Sequence, residues 1–242
     1  MNTKLLKATI GMIIVMMLVS ACGLVPTFGS RNLISETRAV SGYNKVDVSG
    51  GGTLDIVQDG TESLTVQTDD NMMKYVTSQV RGGTLYLGLD SGGVSIAPSA
   101  LNFTLHVKDL SGISTSGSWD VTSAAIKTVD LAIVMSGSGK VQVDSVTLTT
   151  LSITVSGSGN LTLAGKTDSQ TISISGSGKY TAGDLSSKAT SVSISGSGNV
   201  TVWASDSLTV HVSGSGDVSY YGSPQVSFEQ SGSGNIHNLG SK

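Results

Sequence analysis

Leu151-Ser152-Ile153-Thr154-Val155-Ser156-Gly157-Ser158-Gly159-Asn160-Leu161-Thr162-Leu163 decides the fold. Every odd position is apolar or glycine and every even one is polar. Strict period-two alternation means strands with one face buried and one in water. The same register recurs at Leu131, Ile133, Met135, Gly137, Gly139, Val141 and Val143, and again at Val192, Ile194, Gly196, Gly198, Val200 and Val202. Two glycines replace large side chains on the buried face, which places a corner there: the strand bends inward and a Cβ would strike the turn above.

Working outward, Ser-Gly-Ser-Gly begins at Ser136, Ser156, Ser175, Ser195, Ser213 and Ser231, preceded by the variant Ser116-Gly117-Ser118-Trp119; the intervals are 20, 20, 19, 20, 18 and 18 residues. A short fixed period is the mark of a solenoid whose repeats pack only on their neighbours. A propeller blade needs about twice that length. The expected fold is therefore all-β, a right-handed parallel β-helix with coils of 18–20 residues, handed by the crossover rule. The pattern has an early copy at Val46, Val48, Gly50, Gly52, Leu54 and Ile56, then lapses until Ser116. That stretch reads as irregular N-terminal turns with a short capping helix over Asp69 to Val80, since Met72, Met73, Val76 and Val80 share one side. Trp119 stands where every later turn has glycine, so the glycine column is expected to begin above it.

The N-terminus is a targeting segment. Lys4 and Lys7 precede an apolar core, Ala8 to Leu18, too short to span a bilayer comfortably. Val19-Ser20-Ala21-Cys22 resembles a bacterial lipobox, in which the Cys is acylated. Cys22 is the only cysteine, so it has no internal disulfide partner. The expected organisation is a lipoprotein signal peptide over 1–21, a tether over 22–38 and one β-helix domain over 39–242, with irregular coils over 39–112 and regular ones over 113–242. The expected location is the cell envelope, lipid-anchored to the membrane and facing the periplasm or exterior.

Glu36-Thr37-Arg38, Val40-Ser41-Gly42-Tyr43, Val46-Asp47-Val48-Ser49-Gly50-Gly51-Gly52 and Gly83-Thr84-Leu85-Tyr86-Leu87, followed by the repeated Ser-Gly-Ser-Gly, resemble the putative auto-transporter adhesin, head GIN domain family. The resemblance covers roughly Arg38 to Gly234 and implies an exported β-helix of bacterial envelopes. It brings no catalytic or ligand residues with it.

Composition excludes some partners. Net charge is −3, charged residues are 13% of the chain, and only Arg31, Arg38 and Arg81 supply guanidinium, so no basic patch exists for nucleic acid. The place just after each glycine pair reads Asp120, Lys140, Asn160, Lys179, Asn199, Asp217 and Asn235, a solvated column without two like charges on adjacent turns. His211 and Glu229 hold one outward place on successive turns, but no nucleophile or third ligand accompanies them. The expectation is no enzyme, no cofactor and no metal site.

One outward feature stands out. Eight residues past the corner serine the late turns carry Trp203, Tyr221 and Leu239, where earlier turns carry Asp144, Ala164 and Gly183. Such a ladder suits contact with a surface glycan or protein. Cross-turn packing under the C-terminal tail is the alternative. The function read from these residues is a non-catalytic binding or adhesion module. An assembly protein forming end-to-end homo-oligomers is the second reading, and a polysaccharide-active β-helix enzyme the last.

Overall fold

The computed structural model describes residues 27–242. The signal peptide and Cys22 lie outside the described residues. Alternation becomes a stack of parallel coils, about six turns in all. Asp130–Gly137, Thr150–Gly157 and Ser169–Gly176 pair in parallel, with Ile133 on Ile153 and Ile153 on Ile172. The column continues through Val192 to Val210, all of it buried. Each such side chain contributes roughly 1.5–3 kcal/mol of burial. Identical residues stacking on one another explain why the pattern tolerates so little drift: a one-residue slip would turn the whole column to water.

The corner serines stack in register from Ser116 to Ser231. Both glycines of each corner lack room for a Cβ, and the first has a second role. The first bends the chain with a left-handed φ, +130° at Gly176 and +132° at Gly196. The second is excluded from having a Cβ by its neighbours: at Gly139 that atom would lie 2.0 Å from the Trp119 carbonyl oxygen. Trp119 does not lie beneath the glycine column, as expected, but inside it, because Gly52 pairs with it from the other side. A Cβ at Gly52 would come within 2.9 Å of the indole ring. The indole is fully buried and stacks on Phe103, with centroids 5.7 Å apart.

Past the corner each coil returns along a short run and meets a break in register. Val143 pairs with Leu163 but the next pair is Val146 with Gly165; Ala182 pairs with Val202 but the next is Ser186 with Trp203. The longer coils loop residues out at this second corner, and the 18-residue coils do not. Inside, Gln170 occupies the place that Leu151 holds one coil earlier. Its amide is satisfied: Tyr180 donates its hydroxyl proton to Oε1 and Nε2 donates to Ser187 Oγ, each at 3.0 Å. Buried polar groups need such partners.

The lapse in period between Gly52 and Ser116 has a topological cause. Lys45–Gln58 has Gly112–Ser123 stacked on one side and Thr84–Leu89 with Leu101–Val107 on the other, so the intervening chain folds back toward the N-terminal end before resuming. Antiparallel strands then close that end. Ser63–Asp69 pairs with Leu101–Val107, and Leu33–Arg38 with Ser63–Asp69. The helix expected over Asp69 to Val80 shrinks to one 3-10 turn, Met73–Tyr75; Val76–Arg81 is a strand of a hairpin turned at Gly82-Gly83.

The expected tether is also corrected from Thr27 onward. Thr27–Phe28 and Leu33–Arg38 are strands, and the loop between them is clamped by Asp69, Asp70 and Asn71. Asp69 is buried and accepts from the Arg31 amide at 2.6 Å and from the Ser99 amide and hydroxyl at 2.7 and 2.6 Å. Burial raises its pKa, but those hydrogen bonds outweigh it and hold the carboxyl below the ordinary range.

Candidate binding surface

The coil-to-coil register fixes which outward residues are neighbours. Lys127 pairs with Thr147, Thr147 with Lys166, Lys166 with Ser186, Ser186 with Trp203, and Trp203 with Tyr221. Counting from the corner serine correctly joined Trp203 to Tyr221, since both lie in 18-residue coils. It misassigned the earlier members of the column. Asp144, Ala164 and Gly183 fall at the looped-out second corner, and the true predecessors are Thr147, Lys166 and Ser186.

Trp203 and Tyr221 are half-buried. The Tyr221 ring reaches back over Gly183, where a Cβ would lie 2.9 Å from it. The C-terminal tail runs beside the ladder: the Leu239 amide donates to the Tyr220 carbonyl at 2.8 Å, and Leu239 itself is 46% exposed. Lys242 pairs with Asp184 and holds its ammonium 4.8 Å from the Tyr221 centroid and 5.9 Å from that of Trp203. The outward end of the ladder is thus partly covered by the chain's own cation, a favourable placement over aromatic faces.

The opposite side of Trp203 is open. It forms one wall of a cleft of about 250 Å³ with Lys166, Asp168, Ser186, Lys188 and Ser205. Asp168 and Lys188 form an exposed ion pair at 2.8 Å, and that carboxylate raises the Lys188 pKa.

Other polar pairs carry less. His211 and Glu229 meet at 3.4 Å on the surface, both largely exposed. His106 and Asp59 meet at 2.6 Å, a pair that sequence spacing did not disclose because residues 59–111 leave the repeat. The Thr61 hydroxyl and amide, with His106, bring the Asp59 pKa down to about 2. The carboxylate is committed to a tight turn there, and the His106 carbonyl accepts from the Tyr43 hydroxyl at 2.6 Å. Among the described residues no group of three or more His, Cys, Asp or Glu is placed to hold a metal. The column after the glycines stacks as expected, Lys140 between Asp120 and Asn160, then Lys179 and Asn199.

A family model described as "Putative auto-transporter adhesin, head GIN domain" matches residues 42–224. A crystal structure of a putative adhesin from Bacteroides fragilis NCTC 9343 is similar, with 29% identity and a TM-score of 0.83, covering 88% of this chain and 100% of that one. A putative lipid binding protein from Parabacteroides distasonis ATCC 8503 shares the fold at 24% identity and a TM-score of 0.75, covering 88% and 99%. So does a putative adhesin from Parabacteroides merdae ATCC 43184, at 19% identity and 0.69, covering 88% and 98%. No functionally curated protein matches the chain.

Proposed function

Because the chain belongs to the putative auto-transporter adhesin, head GIN domain family, we propose that it is a non-catalytic adhesion module of the cell envelope, held to the membrane by lipid on Cys22. The observation that carries this reading is the outward column ending in Trp203 and Tyr221, two aromatic side chains stacked coil on coil. Aromatics placed among small polar neighbours are the usual anchors of contact surfaces. Leu239 at the edge of the same ladder extends it. Asp168 and Lys188, the ion pair in the cleft beside Trp203, are tied to each other on the surface, an arrangement that supports binding rather than turnover.

Cells carrying the full chain provide the test. Replacing Cys22 by serine is expected to move the protein from the membrane fraction to the soluble or secreted fraction and to abolish metabolic labelling with fatty acid. The double variant Trp203→Ala with Tyr221→Ala is expected to stay in the membrane fraction while adhesion to a host-cell or matrix layer drops several-fold. Adhesion equal to the parent chain would discard the ladder as the contact surface.

A second reading is favoured by one observation. Among the described residues Gln225–Gly232 pairs on one edge only, and its inward positions are not covered by them: Val226 is 42% exposed and Phe228 half-buried, where Leu208 and Val210 one coil earlier are buried. An uncovered strand edge is a template for another chain. End-to-end assembly through that coil would make the protein a structural element of the envelope.

A further inference from the structure

The cleft beside Trp203 continues along the molecule. A second cleft, of about 550 Å³, is lined by Asp109, Lys127, Val129, Asp130, Thr147 and Thr149, among others. The two adjoin: Thr147 pairs with Lys166, and the Asp168 amide donates to the Thr149 carbonyl at 3.2 Å. One wall is therefore the column Lys127, Thr147, Lys166, Ser186 and Trp203. The other follows Val129, Thr149, Asp168 and Lys188, the last three amides each donating to the carbonyl one coil back. Four coil steps of about 4.8 Å make a groove roughly 19 Å long, parallel to the solenoid axis.

Its chemistry limits what fits. The groove carries Lys127, Lys166 and Lys188 against Asp109, Asp130 and Asp168, three cations and three anions. Balanced charge gives no net attraction for a polyanion or a polycation. The remaining lining is mainly hydroxyl, with the Trp203 indole at one end. Backbone groups along the floor are already paired between coils, so side chains do the recognising. A shallow groove of this length cannot enclose a compact ligand, and it repeats with the coils. We infer that the groove binds a linear, uncharged polysaccharide, laid along the axis with one sugar face against Trp203 and its hydroxyls toward the Lys, Asp, Ser and Thr walls. This rests on the adhesion reading and names the ligand class for the same surface.

The test uses the full chain in mild detergent, with a soluble β-glucan, a mannan and polygalacturonate as probes, followed by calorimetry. At least one of the neutral polymers is expected to bind, with little dependence on salt, and polygalacturonate more weakly or not at all. Thr149→Trp adds bulk at an exposed position in mid-groove without touching the core and is expected to weaken binding at least tenfold. Trp203→Ala is expected to do the same, and Gln79→Ala, in a surface depression that shares no lining residue with the groove, to change nothing. Salt-sensitive binding of polygalacturonate alone, neutral-polymer binding unchanged in Thr149→Trp, or no binding of any probe would overturn the inference. If cell adhesion persists in Thr149→Trp, the adhesion reading survives and only the groove is lost; if adhesion is absent from the parent chain, both fail.

Discussion

Gly176→Ala is expected to lower the unfolding midpoint in urea by the equivalent of about 4 kcal/mol, a large part of the stability of an ordinary domain. Two costs add. The residue sits at φ +130°, a conformation that an alanine adopts only with strain, at about 1–3 kcal/mol. Its new Cβ would also lie 2.5 Å from the Gly157 carbonyl oxygen and 3.2 Å from that residue's carbonyl carbon and amide nitrogen. Those are backbone atoms of the coil below, fixed in the ladder, so they cannot swing aside as a flexible side chain would; overpacking of this kind costs about 1–3 kcal/mol more. Because each coil contacts only its neighbours, the damage interrupts the stack in its middle. Gly60→Ala is the control: its φ is +86° but nothing lies within 4 Å of the added atom, and it is expected to cost about 1 kcal/mol. Equal shifts for the two would show that steric contact between coils does not select the glycine column.

Trp119→Ala is expected to cost about 3–5 kcal/mol, the range for emptying a large buried aromatic. The indole is the one bulky side chain in the glycine column and fills the space over Gly52 against Phe103. Its Nε1–H is buried and meets no acceptor among the described residues. That detail separates shape from polarity. Trp119→Phe keeps most of the stack and removes an unmatched donor, whose burial is itself unfavourable by about 1–3 kcal/mol. The phenylalanine variant is therefore expected to lose less than about 1.5 kcal/mol. Both are read from urea midpoints by circular dichroism. A phenylalanine variant as unstable as the alanine one would mean that the N–H does find a partner in solution.

The coil and its corner were legible in the sequence because they depend on short-range rules. Alternation at Leu151, Ile153 and Val155 allows one face inward, and a parallel stack then places like on like. Both glycines of a corner have a crowded Cβ and the first a left-handed φ as well, a difference that composition alone does not show. Residues 59–111 were not legible as a path, since nothing local says that a chain leaving Gln58 packs on the far side of the coil it has just built. The apolar spacing of Met72, Met73 and Val76 suggested a helix, and antiparallel pairing at the capped end overrode that preference. For the binding surface, Trp203 next to Tyr221 could be read directly, whereas Lys127, Lys166 and Ser186 could not. They stand 10 or 11 residues past their corner serines, where Trp203 and Tyr221 stand eight past theirs, because of the looped-out residues, and the only trace in the sequence was the shortening of the last coils to 18 residues. Asp184, which pairs with the tail's Lys242, lies within such a loop and was hidden for the same reason.

The solenoid is proposed to act through its side rather than its ends, and the oligomeric state tests that most directly. Sedimentation equilibrium of the full chain in detergent, over a hundredfold range of concentration, is expected to return the mass of a single chain throughout, leaving the groove and the Trp203 column free for a ligand. A stable dimer or longer series dissociated by Val226→Lys, at the exposed edge of Gln225–Gly232, would contradict it and make end-to-end assembly the function of the fold.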